Sequence, residues 1–338
     1  MNALSEVLDR YTVTAGTGRG MRPLDGGATT KPRLVTTRAG RFVLRRLPEY
    51  LEPDRARFAA TVQRHAATTM TQVPAVIATR KGDLVTEVAG NWYMLTAHVP
   101  GSITPGVPSP SQCQYLGDVL GRLHTTLATA TLPSVVPRQV LPADPTSGIC
   151  QAIAAHEWSG CGHPTVRQVL RAKLRRAQAL NPDDLDTLRA LPHRVIHGDI
   201  HPGNILTSAD VVTGIVDFDL ARLAPPTYEL LRAMVYCLHP AGPVAVYGPR
   251  ARAFLTGYLN QATVTRREIA TMTSLYEATQ ILDCHGLDVC INPSPDLIKF
   301  GHARYALLYW LRHNRADLTH LALDVYDAHD HSHQREVR

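Results

Sequence analysis

The stretch from residue 195 to residue 219 constrains this chain more than any other. It reads VIHGDIHPGNILTSADVVTGIVDFD, so a short apolar run leads into a polar loop and a second apolar run ends in acidic residues. Pro202 and Gly203 force the loop out of helical geometry, which lets the carboxylate of Asp199 project from it. A loop of this kind, set between strand-like runs, presents its side chains at the edge of a small sheet.

The second apolar run brings another carboxylate towards the loop. The β-rich residues 211–216 predict a hairpin strand that ends at Asp217, and this pairing would bring Asp217 beside Asn204. An amide and a carboxylate offer the hard oxygen ligands that Mg²⁺ prefers. Phosphoryl transfer from a nucleotide needs such a metal-binding pair and one further carboxylate that accepts a hydroxyl proton. We therefore expect Asp199 to be the base and Asn204 and Asp217 to hold Mg²⁺.

These residues match a known pattern. The loop resembles the H-x-D-x-x-x-x-N catalytic loop of the aminoglycoside phosphotransferase and choline kinase family, relatives of the protein kinases, with His197, Asp199 and Asn204 in the three positions. Asp217 matches the metal-binding aspartate of the protein-kinase D-F-G sequence, here D-F-D ending at Asp219. The resemblance implies that His197 belongs to the catalytic loop, which it braces by hydrogen bonds, and that Asp219 assists the metal site.

The resemblance also implies a fold and a division of the chain. We expect an α+β, two-lobed, protein-kinase-like fold, with a small antiparallel-sheet lobe over residues 1–100 that binds the nucleotide. A larger, mostly helical lobe over residues 101–328 would carry the catalytic loop and the acceptor site. The His-rich residues 329–338 are expected to be a disordered tail. A length of 338 residues suits two unequal lobes better than a single core.

The first hundred residues contain the expected nucleotide-binding positions. A turn with Gly26 and Gly27 would let backbone N–H groups approach phosphate oxygens. Arg45, in the strand-like FVLRR, takes the place of the family's phosphate-binding lysine, and an arginine can hold phosphates bidentately. The run that ends in Pro-Gly at residues 100–101 resembles the family's hinge, where adenine would bond to main-chain groups of Ala97 and Val99.

Two departures from the family pattern concern this nucleotide site. Arginine and lysine are not interchangeable in a tight site, so Arg45 changes how the phosphates would be held. The helix predicted for residues 54–70 also lacks the glutamate that usually pairs with the basic strand residue. Gln63 is the candidate for a neutral substitute on that helix.

Apolar periodicity predicts a series of helices after the Pro- and Ser-rich linker at residues 103–110. They are expected at residues 111–127, 165–180, 183–191, 227–238, 249–261, 266–285, 295–312 and 316–328. Residues 130–165 are Pro-rich and predicted to be irregular, and the basic run at 171–176 is interpreted as a solvated face. The resemblance implies that the late helices wall the acceptor pocket, with these candidate contacts: Tyr276, Glu277, Asp283, His285 and Asp288.

Composition excludes several other classes of protein. No apolar run approaches eighteen residues and the N-terminus lacks a signal-peptide core, so we expect a soluble cytoplasmic protein without a membrane partner. The six cysteines include no C-x-x-C pair, which favours reduced thiols over disulfides and over a zinc site among Cys150, His156, Cys161 and His163.

The net positive charge of the chain lies in its N-terminal third. Residues 1–99 carry 14 Lys and Arg against 8 Asp and Glu, whereas the remainder carries 21 of each. A basic N-terminal third suits a nucleotide-phosphate site. Aromatic residues make up only 6% of the chain, so the pattern does not indicate a nucleic-acid partner.

The sequence therefore predicts an O-phosphotransferase that uses ATP or GTP with Mg²⁺ and moves the γ-phosphate to a hydroxyl of a small molecule. An aminoglycoside-like antibiotic is the first expectation, since Arg-, Ala- and Pro-rich, Lys-poor chains are typical of the GC-rich genomes of antibiotic producers. A metabolic kinase for homoserine, choline, ethanolamine or a sugar is the alternative, and a non-catalytic nucleotide-binding module is another. A monomer or a homodimer is expected.

Overall fold

The structure is a computed structural model that describes residues 3–14, 20–24, 32–103, 108–131, 140–158, 164–209, 211–238, 244–284 and 295–336. The turn with Gly26 and Gly27 lies outside these residues. No helix in the described ranges is long and apolar enough to cross a bilayer.

A five-stranded antiparallel sheet forms the N-terminal part of the molecule, in the spatial order β1-β2-β3-β5-β4. Its strands are β1 (Gly20–Pro23), β2 (Arg33–Thr37), β3 (Gly40–Arg46), β4 (Thr86–Val88) and β5 (Asn91–Ala97). Side chains alternate along β3, so Phe42 and Leu44 are buried on one face while Arg45 points to the other. Helix α1 (Ala3–Asp9) packs on the Phe42 face. Helix α2 (Pro53–Ala67) packs on the opposite face.

The rest of the described chain is mostly helical. Its helices are α3 (Pro110–Ala128), α4 (Ser147–Trp158), α5 (Pro164–Gln178), α6 (Pro182–Arg189), α7 (Pro226–Cys237), α8 (Val244–Leu259), α9 (Arg266–Leu282) and α10 (Pro295–Glu336). Two antiparallel strand pairs lie among them: β6 (Arg194–Ile196) with β9 (Arg222–Ala224), and β7 (Ile205–Ser208) with β8 (Val211–Ile215). One large apolar core joins α2, α3 and α7–α10 to these strands. The predicted α+β fold class is confirmed.

Several predicted boundaries are wrong. The segment predicted to be irregular contains α4, because Ile149 and Ala152 bury against α5 and Asp144 accepts hydrogen bonds from the amides of Thr146 and Ser147 at the helix start. The run at 171–176 is not wholly a solvated face, because the Lys173 side chain is only 2% exposed.

The two helices predicted at the C-terminus are one helix of 42 residues, α10. No proline or glycine interrupts residues 313–315, so nothing ends the helix there. The same absence extends through residue 336, and α10 continues to Glu336 where the sequence predicts a disordered tail.

Glycines allow α3 and α8 to cross at close range. A Cβ atom added to Gly117 would lie 2.0 Å from the carbonyl oxygen of Phe254, and one added to Gly257 would lie 1.9 Å from that of Gln114. The backbones therefore touch where these residues meet. The contact places the end of α3, with the buried His124, against Tyr258 of α8.

Helices α9 and α10 run antiparallel, joined by polar contacts along their shared seam. The contacts are Arg266–Asp327 at 2.8 Å, Thr273–Thr319 at 2.7 Å, Glu277–Arg315 at 3.3 Å and Asp283–Arg304 at 2.6 Å. The partners run in opposite order along the two helices: the earlier a residue lies along α9, the later its partner lies along α10. The set of contacts therefore fixes the relative register of the two helices.

Replacing Gly117 with alanine tests the close crossing of α3 and α8. The added methyl group would meet backbone atoms that cannot move alone, so we expect Gly117→Ala to destabilise the protein by about 1–3 kcal/mol in urea unfolding. Gly148→Ala is the matched control, since a Cβ on this helical glycine meets no atom within 4 Å. Equal unfolding free energies for the two variants would contradict the close contact.

Candidate active site

The loop between β6 and β7 is held in an unusual backbone conformation. Gly198 has φ of +87°, and a Cβ atom there would lie 2.1 Å from the carbonyl oxygen of Leu220. His197 is fully buried and its Nε2 donates to the carbonyl of Val216 at 3.0 Å, while its Nδ1 accepts from the amide of Asp199 at 3.2 Å. Both ring nitrogens of His197 therefore make hydrogen bonds that connect the loop to itself and to the end of β8.

A buried carboxylate from α7 anchors the same loop. Glu229 is 0% exposed and accepts hydrogen bonds from the backbone amides of His197 and Gly198. It also contacts His124 Nε2 at 3.0 Å, and His124 Nδ1 lies 2.9 Å from the Tyr258 hydroxyl. Burial alone would raise the pKa of Glu229, but the hydrogen bond and charge of His124 dominate and lower it, so the carboxylate stays ionised.

The hairpin β7–β8 brings the two predicted metal ligands together. The amide of Val216 donates to the carbonyl of Asn204 at 3.0 Å, which places the next residue, Asp217, beside Asn204 as predicted. Asn204 Nδ2 donates to the Asp199 carboxylate at 3.2 Å, so its Oδ1 faces away from that bond. Asp217 has φ of +69° and a side chain that is 41% exposed.

This donor set fits Mg²⁺. The amide oxygen of Asn204 and the half-exposed carboxylate of Asp217 are hard ligands. In sites of this kind a nucleoside triphosphate supplies the remaining oxygens. Among the described residues, no group of three or more His, Cys, Asp or Glu side chains is arranged to hold a metal ion by itself.

Arg45 reaches across from β3 to the acidic residues that follow β8. Its Nη2 lies 3.0 Å from Asp217 Oδ1 and 2.8 Å from Asp219 Oδ2, and its Nη1 lies 3.3 Å from Asp219 Oδ1. The sequence alone does not identify the acidic partner of Arg45. In the structure the partners are Asp217 and Asp219, the two aspartates of the D-F-D sequence. Gln63 is not a substitute for the missing glutamate, because its side-chain amide donates to the carbonyl of Pro74 at 2.8 Å.

The carboxyl group of Asp219 is buried beside a second carboxylate. Burial raises its pKa, the charge of Arg45 opposes this rise, and the nearby charge of Asp217 adds to it, so the pKa stands at about 6. The Asp219 side chain is only 7% exposed, compared with 41% for Asp217. Asp217 is therefore the more accessible of the two to a metal or a nucleotide.

Asp199 has a cationic partner that sequence reasoning missed. Arg232, on α7, donates from Nη2 to Asp199 Oδ1, and its side chain is 12% exposed. Burial would raise the pKa of Asp199, but the nearby His201 ring, 3.6 Å from Oδ2, and the charge of Arg232 outweigh it and lower the pKa to about 2. The carboxylate is thus ionised at neutral pH and fixed in position.

The strand end predicted to bind adenine is partly occupied by the protein itself. The amide of Ala97 donates to the carbonyl of Ala75 at 2.8 Å, so it cannot also donate to a base. The predicted contact at Ala97 is therefore limited to its carbonyl, and that at Val99 stays a prediction. Just beyond, Ser102 and Thr207 exchange backbone hydrogen bonds at 3.0 and 2.9 Å, which ties the segment after β5 to the hairpin β7–β8.

The candidate acceptor contacts divide into three groups. Tyr276 is fully buried beside α7, and Asp283 pairs with Arg304. Glu277 instead faces Arg312 and Arg315 along the seam with α10. The predicted contacts His285 and Asp288 lie outside the described residues.

Tyr50, between β3 and α2, is a further residue of the site that the sequence did not indicate. Its side chain is 63% exposed. Partial burial of the hydroxyl and then the charges of Asp219, Asp217 and Asp199 raise its pKa. The signal that could have found it is its position: an aromatic residue four positions after the end of β3, the strand that carries Arg45.

Comparison with known proteins places these observations in a family. The model of the phosphotransferase enzyme family matches residues 20–268, which is most of the chain. A homoserine kinase of Azorhizobium caulinodans is 25% identical over 274 residues, covering 81% of this chain and 80% of that protein.

Solved structures share the fold at lower sequence identity. An aminoglycoside phosphotransferase from Alicyclobacillus acidocaldarius superposes with a TM-score of 0.60 at 18% identity, over 96% of both chains. A choline kinase from Cryptosporidium parvum superposes with a TM-score of 0.59 at 11% identity, over 92% of this chain and 94% of that one. The family model covers most of the chain, and the chain belongs to the phosphotransferase enzyme family.

Proposed function

We propose that this protein transfers the γ-phosphate of ATP, or of GTP, to a hydroxyl group of a compact small molecule, with Asp199 as the base. One observation supports this most strongly. Asp199 lies within hydrogen-bond distance of the amide of Asn204, and the hairpin β7–β8 sets Asp217 beside that same residue. A base and a metal-ligand pair on one rigid loop are the parts that in-line phosphoryl transfer needs.

In the proposed mechanism, Asp199 orients the acceptor hydroxyl and receives its proton. A carboxylate with a pKa of about 2 is a weak base, but the loose transition state depends more on positioning than on basicity. Asn204 Nδ2 and Arg232 Nη2 each hold one oxygen of this carboxylate, so its orientation is set before the acceptor binds. The carboxylate of Asp199 therefore does not have to rotate before it accepts the proton.

Asn204 and Asp217 would hold Mg²⁺, with Asp219 in support. When bound, the ion supplies charge neutralisation on the phosphate oxygens. Arg45 already contacts both aspartates, so its guanidinium lies where the phosphates would approach the metal site. The carboxylates hold Arg45 in place, and its charge is available to the phosphates on the side away from them.

The acceptor that the relatives support is a hydroxy amino acid, since those found at about 25% identity are homoserine kinases. An antibiotic acceptor, the first expectation from the sequence, is the second candidate, because the same fold occurs in an aminoglycoside phosphotransferase. The two candidates are distinguished by an assay with a panel of homoserine, choline, ethanolamine and aminoglycosides. The assay measures the release of nucleoside diphosphate with each compound and identifies the product by mass spectrometry. Nucleotide binding with no acceptor-stimulated turnover would instead favour a binding module.

Removing the proposed base tests the mechanism. We expect Asp199→Asn to lower turnover by roughly 10²–10⁴-fold while nucleotide binding persists, because the proton acceptor is lost and the residues proposed to hold the nucleotide are unchanged. Asp184→Asn, on the exposed surface of α6, is the control and should keep full activity. An Asp199→Asn enzyme that releases nucleoside diphosphate at the normal rate with an acceptor present would overturn the assignment.

The buried carboxylate of α7 should matter for rate rather than for nucleotide affinity. Glu229→Gln replaces an acceptor of loop amides with a group that donates, so we expect a roughly tenfold or larger fall in kcat, from the typical cost of a buried charged hydrogen bond. Glu268→Gln removes another fully buried carboxylate, one that caps α9, and should change unfolding more than kcat. A similar kcat for both variants would contradict the positioning role.

The role of Arg45 can be separated from simple surface charge. Arg45→Met should raise the KM for nucleotide by roughly 10–100-fold, since charge-assisted hydrogen bonds to phosphate are lost. The neighbouring Arg46→Met removes an arginine that is 48% exposed and pairs with Glu49, so we expect it to leave the KM unchanged. Equal KM values for both variants would show that Arg45 does not contact the nucleotide.

A further inference from the structure

We propose that a cluster formed by Arg232, Tyr236, Tyr276, Gln280 and Arg304 is a subsite for a carboxylate of the acceptor, so that the substrate is a compact hydroxy acid. The cluster, called here the anion subsite, lies beside the catalytic loop on α7, α9 and α10. This inference rests on the proposed function, because the subsite is defined relative to Asp199 as the base.

The arrangement of the helices brings these side chains together. Arg232 and Tyr236 are four residues apart on α7, and Tyr276 and Gln280 are four residues apart on α9, so each pair lies on one face of its helix. The rings of Tyr228 and Tyr276, one from each helix, lie 5.7 Å apart. The Arg232 guanidinium stacks over the Tyr236 ring at 4.8 Å. From α10, Arg304 Nη2 reaches Gln280 Oε1 at 3.0 Å.

Several polar atoms of the subsite are buried without a partner. Within the described part of the chain, Arg232 Nε, Tyr236 Oη, Tyr276 Oη and Gln280 Nε2 have no hydrogen-bond partner. The side chains of Tyr276 and Gln280 are at most 2% exposed. Burying such groups unsatisfied costs free energy, so several of them in one cluster indicate a ligand that bonds to them. All four can donate a hydrogen bond, and a ligand with acceptor oxygens matches that set.

The charge of the cluster selects an anion. Arg232 is paired with Asp199, and Arg304 is paired with Asp283 at 2.6 Å. The buried Lys173 adds a third cation, whose Nζ donates to the carbonyl oxygens of Gln280 and Asp283. Three cations and two carboxylates leave one net positive charge in a region with little solvent. A buried cationic acceptor would be repelled there, whereas a carboxylate would be attracted.

The position of Arg232 sets the size of the acceptor. One guanidinium bonds to Asp199 through Nη2 and presents Nε without a partner, so the reacting hydroxyl and the carboxylate must lie only a few bonds apart. Arginine binds carboxylates through such adjacent N–H groups. A compact hydroxy acid spans this distance, while a polycationic aminoglycoside would place ammonium groups against Arg232 and Arg304.

The first experiment compares matched ligands by isothermal titration calorimetry with the Mg²⁺–nucleotide complex present. The probes are L-homoserine and 4-hydroxybutyrate, each against the alcohol in which the carboxylate is replaced by a hydroxymethyl group: 2-aminobutane-1,4-diol and butane-1,4-diol. We expect each acid to bind roughly tenfold or more tightly than its alcohol. Equal binding, or tighter binding of the alcohols or of an aminoglycoside, would overturn the subsite.

The second experiment assigns the effect to residues. Arg304→Gln should weaken binding of the acids roughly tenfold or more and leave that of the diols unchanged. Arg315→Gln is the matched control, because it removes an arginine of the same helix that also pairs with a carboxylate of α9 but is 56% exposed and outside the subsite. Arg232→Lys keeps the charge but not the fork of N–H groups, so the KM for the acid should rise. Unchanged acid binding in Arg304→Gln together with an unchanged KM for the acid in Arg232→Lys would refute the assignment.

The two proposals fail in different ways. If an acid binds as expected but no phosphate is transferred to any acceptor, the subsite stands and the proposed function is wrong. If transfer occurs only to cationic or neutral alcohols and no acid binds, the proposed function stands and the subsite is wrong. The comparison of each acid with its alcohol needs no variant, so the test does not depend on whether the substituted proteins fold.

Discussion

The geometry of the active site depends on one buried carboxylate. Glu229 has no exposure to solvent, yet it remains ionised because it accepts from two loop amides and contacts His124. Breaking such an arrangement would leave either a buried charge or buried amides without partners, and both are costly. The loop that carries Asp199 is consequently held by the helical core as well as by its own His197. The glycine-mediated crossing of α3 and α8 serves the same end, since it brings His124 and Tyr258 into hydrogen-bond distance.

Two arginine–aspartate pairs divide the site into two halves. Arg45 comes from the sheet and pairs with Asp217 and Asp219, whereas Arg232 comes from α7 and pairs with Asp199. Both arginines are largely buried, so they hold the carboxylates that they contact in a fixed orientation, and each cation can attract an incoming anion. The nucleotide phosphates would meet the first arginine, and the acceptor would meet the second. The missing helix glutamate is thereby explained, because the arginine of β3 obtains its carboxylates from the D-F-D sequence.

The sequence predicted the parts of the site whose chemistry demands fixed residue types at fixed spacing. His197, Asp199, Asn204 and Asp217 all fall between residues 197 and 217, in one loop and the hairpin that follows it, so local pattern was enough to bring them together. The anchors of that hairpin were not predictable in the same way. Glu229 acts on an amide 32 positions earlier in the chain, and a single acidic residue on an amphipathic helix has no pattern that distinguishes burial from exposure.

Long-range pairing explains the other differences. Arg45 and Asp219 are 174 positions apart, and only the folded chain shows that they meet. Helix ends were predicted less well than helices, because tertiary packing rather than local propensity decides where α4 begins and how far α10 extends. The choice between acceptors depends on Arg232 and Arg304, which lie on helices that carry no motif.

The seam between α9 and α10 has a consequence for how substrate preference can change. Contacts from Arg266–Asp327 to Asp283–Arg304 fix the rotation of α10 about its own axis over much of its length. Because successive helical residues are rotated by about 100°, inserting or deleting one residue between Arg304 and Thr319 would turn Arg304 away from α9 while the distal contacts stayed in place. The contacts of Asp327 and Thr319 can thus keep α10 packed on α9 while the residues near the anion subsite vary. The stability of this part of the fold is therefore separate from the choice of acceptor.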